Sequence, residues 1–402
     1  MKEENKLPKG WEVKRLGEVC QIHTGKHDAN HSKPDGKFRF YTCAFEHMLC
    51  NTNRFKGESL ILPGNGANVG EVFYYNGEFD AYQRTYVLNE MKALPKFLYY
   101  HLLCFWKKRN HDKQFGSATN YIRMANFTDY VAPIPPLPEQ QAIVAKIEEL
   151  FSQLENGKQQ LLTAQKQLKI YRQSLLKWAF EGKLTNQNLK AGELPKGWEV
   201  KKLGEVCLNV EYGSAAKSQK TGKIPVLRMG NIQSGKFDWD DLVFTDNEEE
   251  IKKYLLKKND VLFNRTNSAE WVGKTALYRG ERPAIFAGYL IRINRIESVI
   301  DATYLTYFLN TKAAKNYGNS VRSFGVNQSN INGTKLKTYP IPLCSLKEQQ
   351  TIVAILESKL TICDKIEETI NTSLKQAETL RQSILKKAFE GRLINENSTS
   401  QQ

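Results

Sequence analysis

Apolar residues recur at alternating spacings of four and three along residues 139–182. The series runs Ile143, Ile147, Leu150, Leu154, Gly157, Leu161, Ala164, Leu168, Tyr171, Leu175 and Trp178. This is the stripe of a helix that pairs with another helix as a coiled coil. The stripe returns over residues 348–391 through Ile352, Leu356, Cys363, Ile366, Ile370, Ala377, Leu380 and Ile384, interrupted by Lys359, Ser373 and Lys387. The two stretches open EQQAIVAKIEEL and EQQTIVAILESKL, and close YRQSLLKWAFEG and LRQSILKKAFEG. Their ends match at one constant offset, so neither has gained or lost a residue, as a rod requires. Pro135, Pro136 and Pro138 stand before the first, and Gly182 and Gly391 stand where C-terminal caps belong. At 1.5 Å per residue each helix would be ~65 Å long. The simplest cover for each apolar stripe is the other helix.

Outside the helices the pattern changes to strands. FRFYTCAF (38–45), SLILP (59–63), EVFYY (71–75) and RTYVL (84–88) precede a helical stretch at 95–110. IPVLRMGNI (224–232), DVLFNR (260–265), KTALYRG (274–280) and AIFAGYLIRIN (284–294) precede another at 304–317. Asn-rich loops follow, GSATNYIRMAN (116–126) and SFGVNQSNING (323–333). A second repeat opens each half, LPKGWEVKRLGEVC (7–20) and LPKGWEVKKLGEVC (194–207). The pattern predicts a duplicated α/β (α+β) fold. Two globular domains are separated by two long antiparallel helices that form a coiled coil. A polar linker covers 183–198, and the C-terminal RLINENSTSQQ resembles its start. The order is therefore cyclic, which predicts a pseudo-two-fold arrangement with the termini close together.

The 402 residues carry a formal net charge of +15, which favours a polyanionic partner, most often nucleic acid. Seven cysteines form no CxxC pair and no disulfide framework, so a reducing cytoplasm is expected. The N-terminus has no apolar run of a signal peptide, and no stretch approaches the ~20 apolar residues of a membrane span.

Catalytic patterns are missing. The chain has no GxxxxGK[ST] loop, and the glycines at 64–70 have the wrong spacing for a dinucleotide site. It has no Asn-Pro-Pro-aromatic tetrapeptide, and residues 133–138 read as a proline-rich cap. Residues 34–37 (PDGK) lack the downstream acidic-x-Lys of a nuclease core. His23, His27 and His31 would align on a helix, but TGK, DAN and Pro34 argue for a solvated loop, and no metal site is expected.

Binding chemistry remains. DNA readout uses Arg, Asn, Gln and Lys on loops held by a rigid scaffold. PGNGANVG (63–70) offers Asn65 and Asn68, and FNRTNSAEWVG (263–273) offers Asn264, Arg265 and Asn267. Further candidates are Arg84, Asn120, Arg123, Arg228, Asn231, Asn327 and Gln328. Ordinary turn hydrogen bonding is the competing reading for each.

The layout resembles the specificity subunit of type I restriction-modification enzymes. The resemblance rests on the LPKGWEV pair, the PIPP…PEQQ and PIP…KEQQ helix starts, the RQSLLKWAFEGKL and RQSILKKAFEGRL helix ends, and LRMGNIQSGKFDW with LFNRTNSAEWVGKT. It implies target recognition domains at 1–136 and 185–342, long helices at 137–184 and 343–395, and a polar tail at 396–402. Each recognition domain would read one half of a split DNA site, with the helices as a ruler. Two adenine-methylating modification subunits would dock on the repeated regions, where Arg172, Phe180, Arg381 and Phe389 are candidate contacts. Restriction subunits would complete the nuclease. The chain itself would be non-catalytic and without cofactor; S-adenosylmethionine, ATP and Mg belong on the partners. The competing readings are a coiled-coil scaffold with ligand-binding end domains, and a stand-alone nuclease.

Overall fold

The computed structural model describes residues 7–111, 114–115, 120–186, 188–190, 192–324 and 328–394. It divides into two compact units. The first comprises Met1–Leu162 with Asn371–Gln402, and the second Thr163–Ile370. Each unit therefore takes one variable segment together with half of each long helix.

The long helices are Leu137–Phe180 and Leu346–Phe389, 44 residues each. Both stop short of the expected ends at 184 and 395. Gly182 (φ 74°) and Gly391 (φ 70°) follow in the left-handed region that closes a helix C-terminus. A Cβ on Gly182 would meet Pro195 Cγ at 2.2 Å, and one on Gly391 would meet Pro8 Cγ at 2.3 Å. The glycine ending each long helix thus lies against the proline of an LPKGW motif.

In the first unit a six-stranded sheet runs in the order Gln21–Thr24, Thr85–Asn89, Phe55–Pro63, Phe73–Ala81, Phe38–Tyr41, Met48–Cys50. Its pairs are antiparallel except Phe38–Tyr41 with Phe73–Ala81. Helix Pro95–Asn110 buries Phe97, Leu98, Leu102 and Trp106 in a core shared with Leu60, Leu62, Leu88 and Phe127. The early part of the first long helix (Ile143, Val144, Ile147) and the late part of the second (Ile384, Leu385, Ala388, Phe389) join the same core.

The second unit has a four-stranded antiparallel sheet, Cys207–Tyr212, Leu290–Arg295, Val261–Asn264, Thr275–Leu277. A second sheet orders Val243–Thr245, Ile224–Leu227 and Ile285–Phe286. Here the late part of the first long helix (Leu168, Leu175, Ala179, Phe180) and the early part of the second (Ile352, Leu356, Cys363) enter one core. Early residues of one helix meet late residues of the other within each unit, so the pairing is antiparallel.

The buried stripe departs from the heptad reading near the helix ends. Ile366 and Leu380, farther from the ends, are exposed; at the ends Tyr171 and Trp178 are exposed, while Ala179, Phe180, Leu385, Ala388 and Phe389 are buried. There the helices pack on a globular domain as well as on each other, which rotates the buried face away from a two-helix seam. Between these ends, residues 151–167 and 371–383 contain no buried position.

The short repeat pairs with the segment leading into a long helix. Glu12–Arg15 runs antiparallel to Val131–Ile134, with Glu12 opposite Ile134. Glu199–Lys202 pairs in the same way with Pro340–Leu343, with Glu199 opposite Leu343. Pro133 and Ile134 therefore belong to a strand and not to a proline-rich cap; proline is tolerated because the ribbon has only two strands. The EQQ signature has an internal task as well. Buried Gln140 accepts from Leu94 N (2.7 Å) and donates to Pro135 O (2.8 Å). Buried Gln349 accepts from Asp301 N (2.8 Å) and donates to Val299 O (3.0 Å) and Cys344 O (2.8 Å). Each glutamine ties the start of a long helix to the residue before a shorter helix. Among the described residues no helix is long and apolar enough to cross a membrane.

Candidate nucleic-acid interface

In the first unit, backbone pairing joins two polar loops that lie far apart in sequence. Gly66 N donates to Asn120 O (2.8 Å) and Ile122 N to Gly64 O (2.9 Å), with Asn65 bridged to Tyr121. Gly64 N donates to Arg84 O (2.9 Å), and a Cβ at Gly64 would sit 2.3 Å from that oxygen. Only glycine admits so close an approach. Asn65, Arg84, Asn120 and Arg123 are thereby gathered at one end of the sheet. Arg84, Asn120 and Arg123 are exposed, and Asn65 is half-buried. The Arg123 guanidinium lies 4.2 Å over the Phe115 ring and donates to the Tyr121 hydroxyl (3.0 Å). Asn68 donates to Cys43 O (2.9 Å), which holds the neighbouring loop and leaves exposed Phe45 beyond it.

The second unit repeats the device with different residues. Thr266–Asn267 pairs with Ser329–Asn330, which also pairs with Ser323–Phe324. Ile331 N donates to Arg265 O (2.9 Å) and Arg265 N to Tyr289 O (3.0 Å). Arg265 and Asn267 are brought beside the loop that carries exposed Gln328; Asn327 lies outside the described residues. The Arg265 guanidinium lies 4.8 Å over the Tyr212 ring and reaches Gly288 O and Asn330 Oδ1, both at 3.4 Å. These contacts are long, and Nε makes no hydrogen bond among the described residues, so the fork is aimed but not saturated. Tyr289 and Trp271 are exposed, and Lys274 Nζ lies 4.0 Å over the Trp271 ring. Burial, then the charge of Lys315, holds the Lys274 ammonium below the usual lysine range.

Several candidates are spoken for. Asn264 is fully buried in its strand, with its amide directed to Trp271 O (3.4 Å), so it shapes the loop from inside and cannot reach a base. Asn231 is buried too. Its Oδ1 accepts from Arg228 N (2.8 Å), and its Nδ2 donates to Asp238 O (3.1 Å) and Asp241 O (2.9 Å). Arg228 is ion-paired with Asp241 at 3.1 Å, at the end of a strand in the other sheet. Neither Arg228 nor Asn231 takes part in the paired loops.

The docking candidates separate in the same manner. Phe180 packs on Tyr304 and Phe308, and Phe389 on Phe97, His101 and Phe105, all within the cores of their own units. Neither is available to a partner, because each is an apolar anchor at a helix end. Arg172 is engaged with Asp364 and Glu367, and Arg381 lies 4.8 Å over the Phe151 ring. The exposed aromatic positions on the first long helix are Tyr171 and Trp178, whose rings meet edge-on at 6.4 Å.

Sequence reasoning missed the exposed rings Phe45, Phe115, Trp271 and Tyr289. Their signal was an aromatic residue inside a polar loop. It also expected a solvated histidine loop. The structure stacks His27 on His31 beside buried Asp80, with His23 apart on a neighbouring strand next to Phe55.

The type I restriction modification DNA specificity domain family matches residues 8–164 and 195–376. The chain is 28% identical to the type I restriction enzyme EcoDI specificity subunit of Escherichia coli, over 96% of this chain and 90% of that protein. Its fold resembles the HsdS subunit from Thermoanaerobacter tengcongensis, with a TM-score of 0.64, 20% identity, and coverage of 97% and 99% of the two chains. It also resembles a chain from a structure concerned with complex assembly and conformational transition of the type I R-M system. There the TM-score is 0.74 and the identity 21%, covering 96% of this chain and 99% of that one.

Proposed function

The chain belongs to the type I restriction modification DNA specificity family, and we propose on that premise that it selects the DNA sites on which a type I restriction-modification complex acts. Each unit reads one half of a bipartite site. The observation that carries this reading is the repeated weave of two distant polar loops, residues 64–66 with 120–122 and 266–267 with 329–330. A rigid sheet holds the backbone, and the side chains on the weave differ between units, as two different half-sites require. Asn65, Arg84, Asn120 and Arg123 face one half-site. Arg265, Asn267 and Gln328 face the other, and Asn68 supports the loop of the first unit through Cys43. Arg is suited to the O6/N7 edge of guanine and Asn to the N6/N7 edge of adenine. The +15 charge supplies the phosphate attraction common to both.

The chain itself performs no chemistry in this proposal and needs no cofactor. Two modification subunits supply S-adenosylmethionine-dependent adenine methylation, and restriction subunits supply ATP- and Mg-dependent cleavage. They act together with this chain in the cytoplasm. One modification subunit contacts the Tyr171–Trp178 face of the first long helix, where Arg172 keeps the helix surface in register. The two long helices fix the spacing between half-sites.

The test is single-molecule sequencing of methylated adenines in a host with the gene, without it, and with Arg265→Ala. Bipartite methylation that depends on the gene, and loses discrimination in one half alone in the variant, is the expected result. Methylation that ignores the gene would overturn the reading. Equal loss in both halves would overturn the assignment of one half-site to each unit.

A further inference from the structure

Residues 302–347 of the second unit carry Lys312, Lys315, Arg322, Lys335, Lys337 and Lys347 and not one Asp or Glu. The stretch includes helix Lys312–Val321, the weave strands Ser323–Phe324 and Ser329–Asn330, and the short helix Gly333–Lys337. Helix Lys312–Val321 is two-sided. Ala314 and Gly318 are buried, and a Cβ on Gly318 would collide with the Tyr339 hydroxyl, so the helix lies close on the domain. Its outer face carries exposed Lys312, Lys315 and Asn319 and leads to the C-cap residue Arg322. Spacings of three and four place these residues in one row. From 312 to 322 the row covers ~15 Å at 1.5 Å per residue, roughly four base steps of a duplex.

The row is joined to the segment 268–274, which follows the weave strand Thr266–Asn267. Arg322 donates to Ala269 O (2.9 Å) and Asn319 Oδ1 (2.8 Å). Lys274 donates to Ile232 O (3.3 Å) and Gln233 Oε1 (3.4 Å), and it feels the charge of Lys315 more strongly than the opposing charge of Glu270. Lys335 donates to the Ser323 hydroxyl (2.8 Å) in the weave itself. Among the described residues no Asp or Glu forms an ion pair with Lys274, Lys312, Lys315 or Lys335. Like charges gathered on one face repel one another, and an array of anions removes that repulsion. The first unit uses its cations differently. The helix before its weave ends in Lys107, Lys108 and Arg109. Lys107 is paired with Glu71 (2.8 Å), and Arg109 donates to Val131 O (2.9 Å) and lies over the Tyr130 ring.

We propose that Lys274, Lys312, Lys315 and Lys335 form a phosphate clamp that holds the DNA backbone beside the half-site of the second unit, whatever its sequence. The clamp rests on the DNA-reading function proposed above and adds to it residues that touch no base. Phosphate contacts fix register and orientation, and base contacts carry the sequence information. The clamp therefore sets how the weave at Arg265 and Asn267 meets the groove. It also gives the second unit the larger share of the chain's sequence-independent affinity.

The experiment uses the full chain assembled with its modification partner. Affinity is measured by fluorescence anisotropy at about 50–200 mM salt for two labelled duplexes, one carrying the methylated bipartite site and one of unrelated sequence. Lys312→Ala and Lys315→Ala should each reduce the magnitude of the slope of log affinity against log salt by about 0.9, equally on both duplexes. The ratio of the two affinities should stay as in the parent. Lys315→Arg keeps the charge and should keep the slope. Lys107→Ala and Lys223→Ala remove lysines already paired with Glu71 and Glu248 and should leave the slope unchanged. Circular dichroism establishes that each variant is folded. Sequence reading is judged by the affinity ratio of the parent and the clamp by the slope on the unrelated duplex, so the two can fail separately. A slope untouched by Lys312→Ala and Lys315→Ala, an equal drop in Lys107→Ala or Lys223→Ala, or an effect confined to the bipartite duplex would overturn the clamp.

Discussion

Arg172 of the first long helix holds Glu367 of the second at 2.8 Å, and the same guanidinium holds Asp364 at 2.7 Å. Two carboxylates one helical turn apart are bridged by one planar fork, a geometry that lysine cannot copy. The pairs are partly exposed, and exposed ion pairs contribute ~0.2–1 kcal/mol each. Removing the arginine also leaves the two acids facing each other. Arg172→Ala should therefore lower stability by about 1 kcal/mol at low salt and by less at high salt. Urea denaturation at two salt concentrations measures both. Arg172→Lys should recover only part of the loss.

Phe389 is buried against Phe97, His101 and Phe105, and Phe180 against Tyr304 and Phe308. Phe389→Ala and Phe180→Ala should each destabilise the chain by ~3–5 kcal/mol, the usual cost of emptying an aromatic site. Trp178→Ala should leave the thermal midpoint nearly unchanged and weaken capture of a modification subunit. Thermal unfolding alongside co-purification separates the two kinds of position.

His101 is buried, its Nδ1 3.1 Å from the Tyr130 hydroxyl, and burial followed by the charge of Arg109 brings its pKa down from 6.5 to about 3. Above pH 6.5 the imidazole is neutral in both folded and unfolded chains. Below that value the unfolded chain takes up a proton that the folded one refuses. Stability should fall as pH drops from about 6.5 toward about 3, by up to ~1.4 kcal/mol per pH unit from this group. His101→Phe should remove that part of the slope. Denaturant midpoints at pH 7, 6 and 5 in the parent and the variant provide the comparison.

Gly157 lies mid-helix, and a Cβ added there would meet nothing within 4 Å. Gly157→Ala should therefore stabilise the chain by ~0.5–1 kcal/mol. Inserting four residues beside it should change the spacer between methylated half-sites while both half-site sequences persist. Adenine methylation maps read the second outcome directly, and altered half-sites would contradict a ruler.

The long helices, their caps and the duplicated α/β plan were legible because each rests on local signals: a repeating apolar spacing, glycine at the C-terminus, and strands rich in aromatic and branched residues. The heptad reading failed where the packing partner changed. Tyr171 and Trp178 continue the spacing, yet Ala179 and Phe180 are the buried positions, and sequence spacing does not reveal what a helix packs against. Asn231 and Asn264 were chosen by residue type. Type does not distinguish an amide that closes its own turn from one that faces solvent. The pairing of residues 64–66 with 120–122 was not legible, because nothing local marks two polar loops as neighbours. The union of His27, His31 and Asp80 was hidden for the same reason, since Asp80 stands in a strand far along the chain.

Gly182 against Pro195 and Gly391 against Pro8 are one joint made twice. The first is bridged by a short linker, whereas the second is closed only through space. Because each compact unit takes half of both long helices, neither repeat holds all the pieces of a unit. Fragments divided in the linker should each be incomplete alone and should complement one another when mixed. Each repeat thus lends one long-helix segment to the unit built around the other.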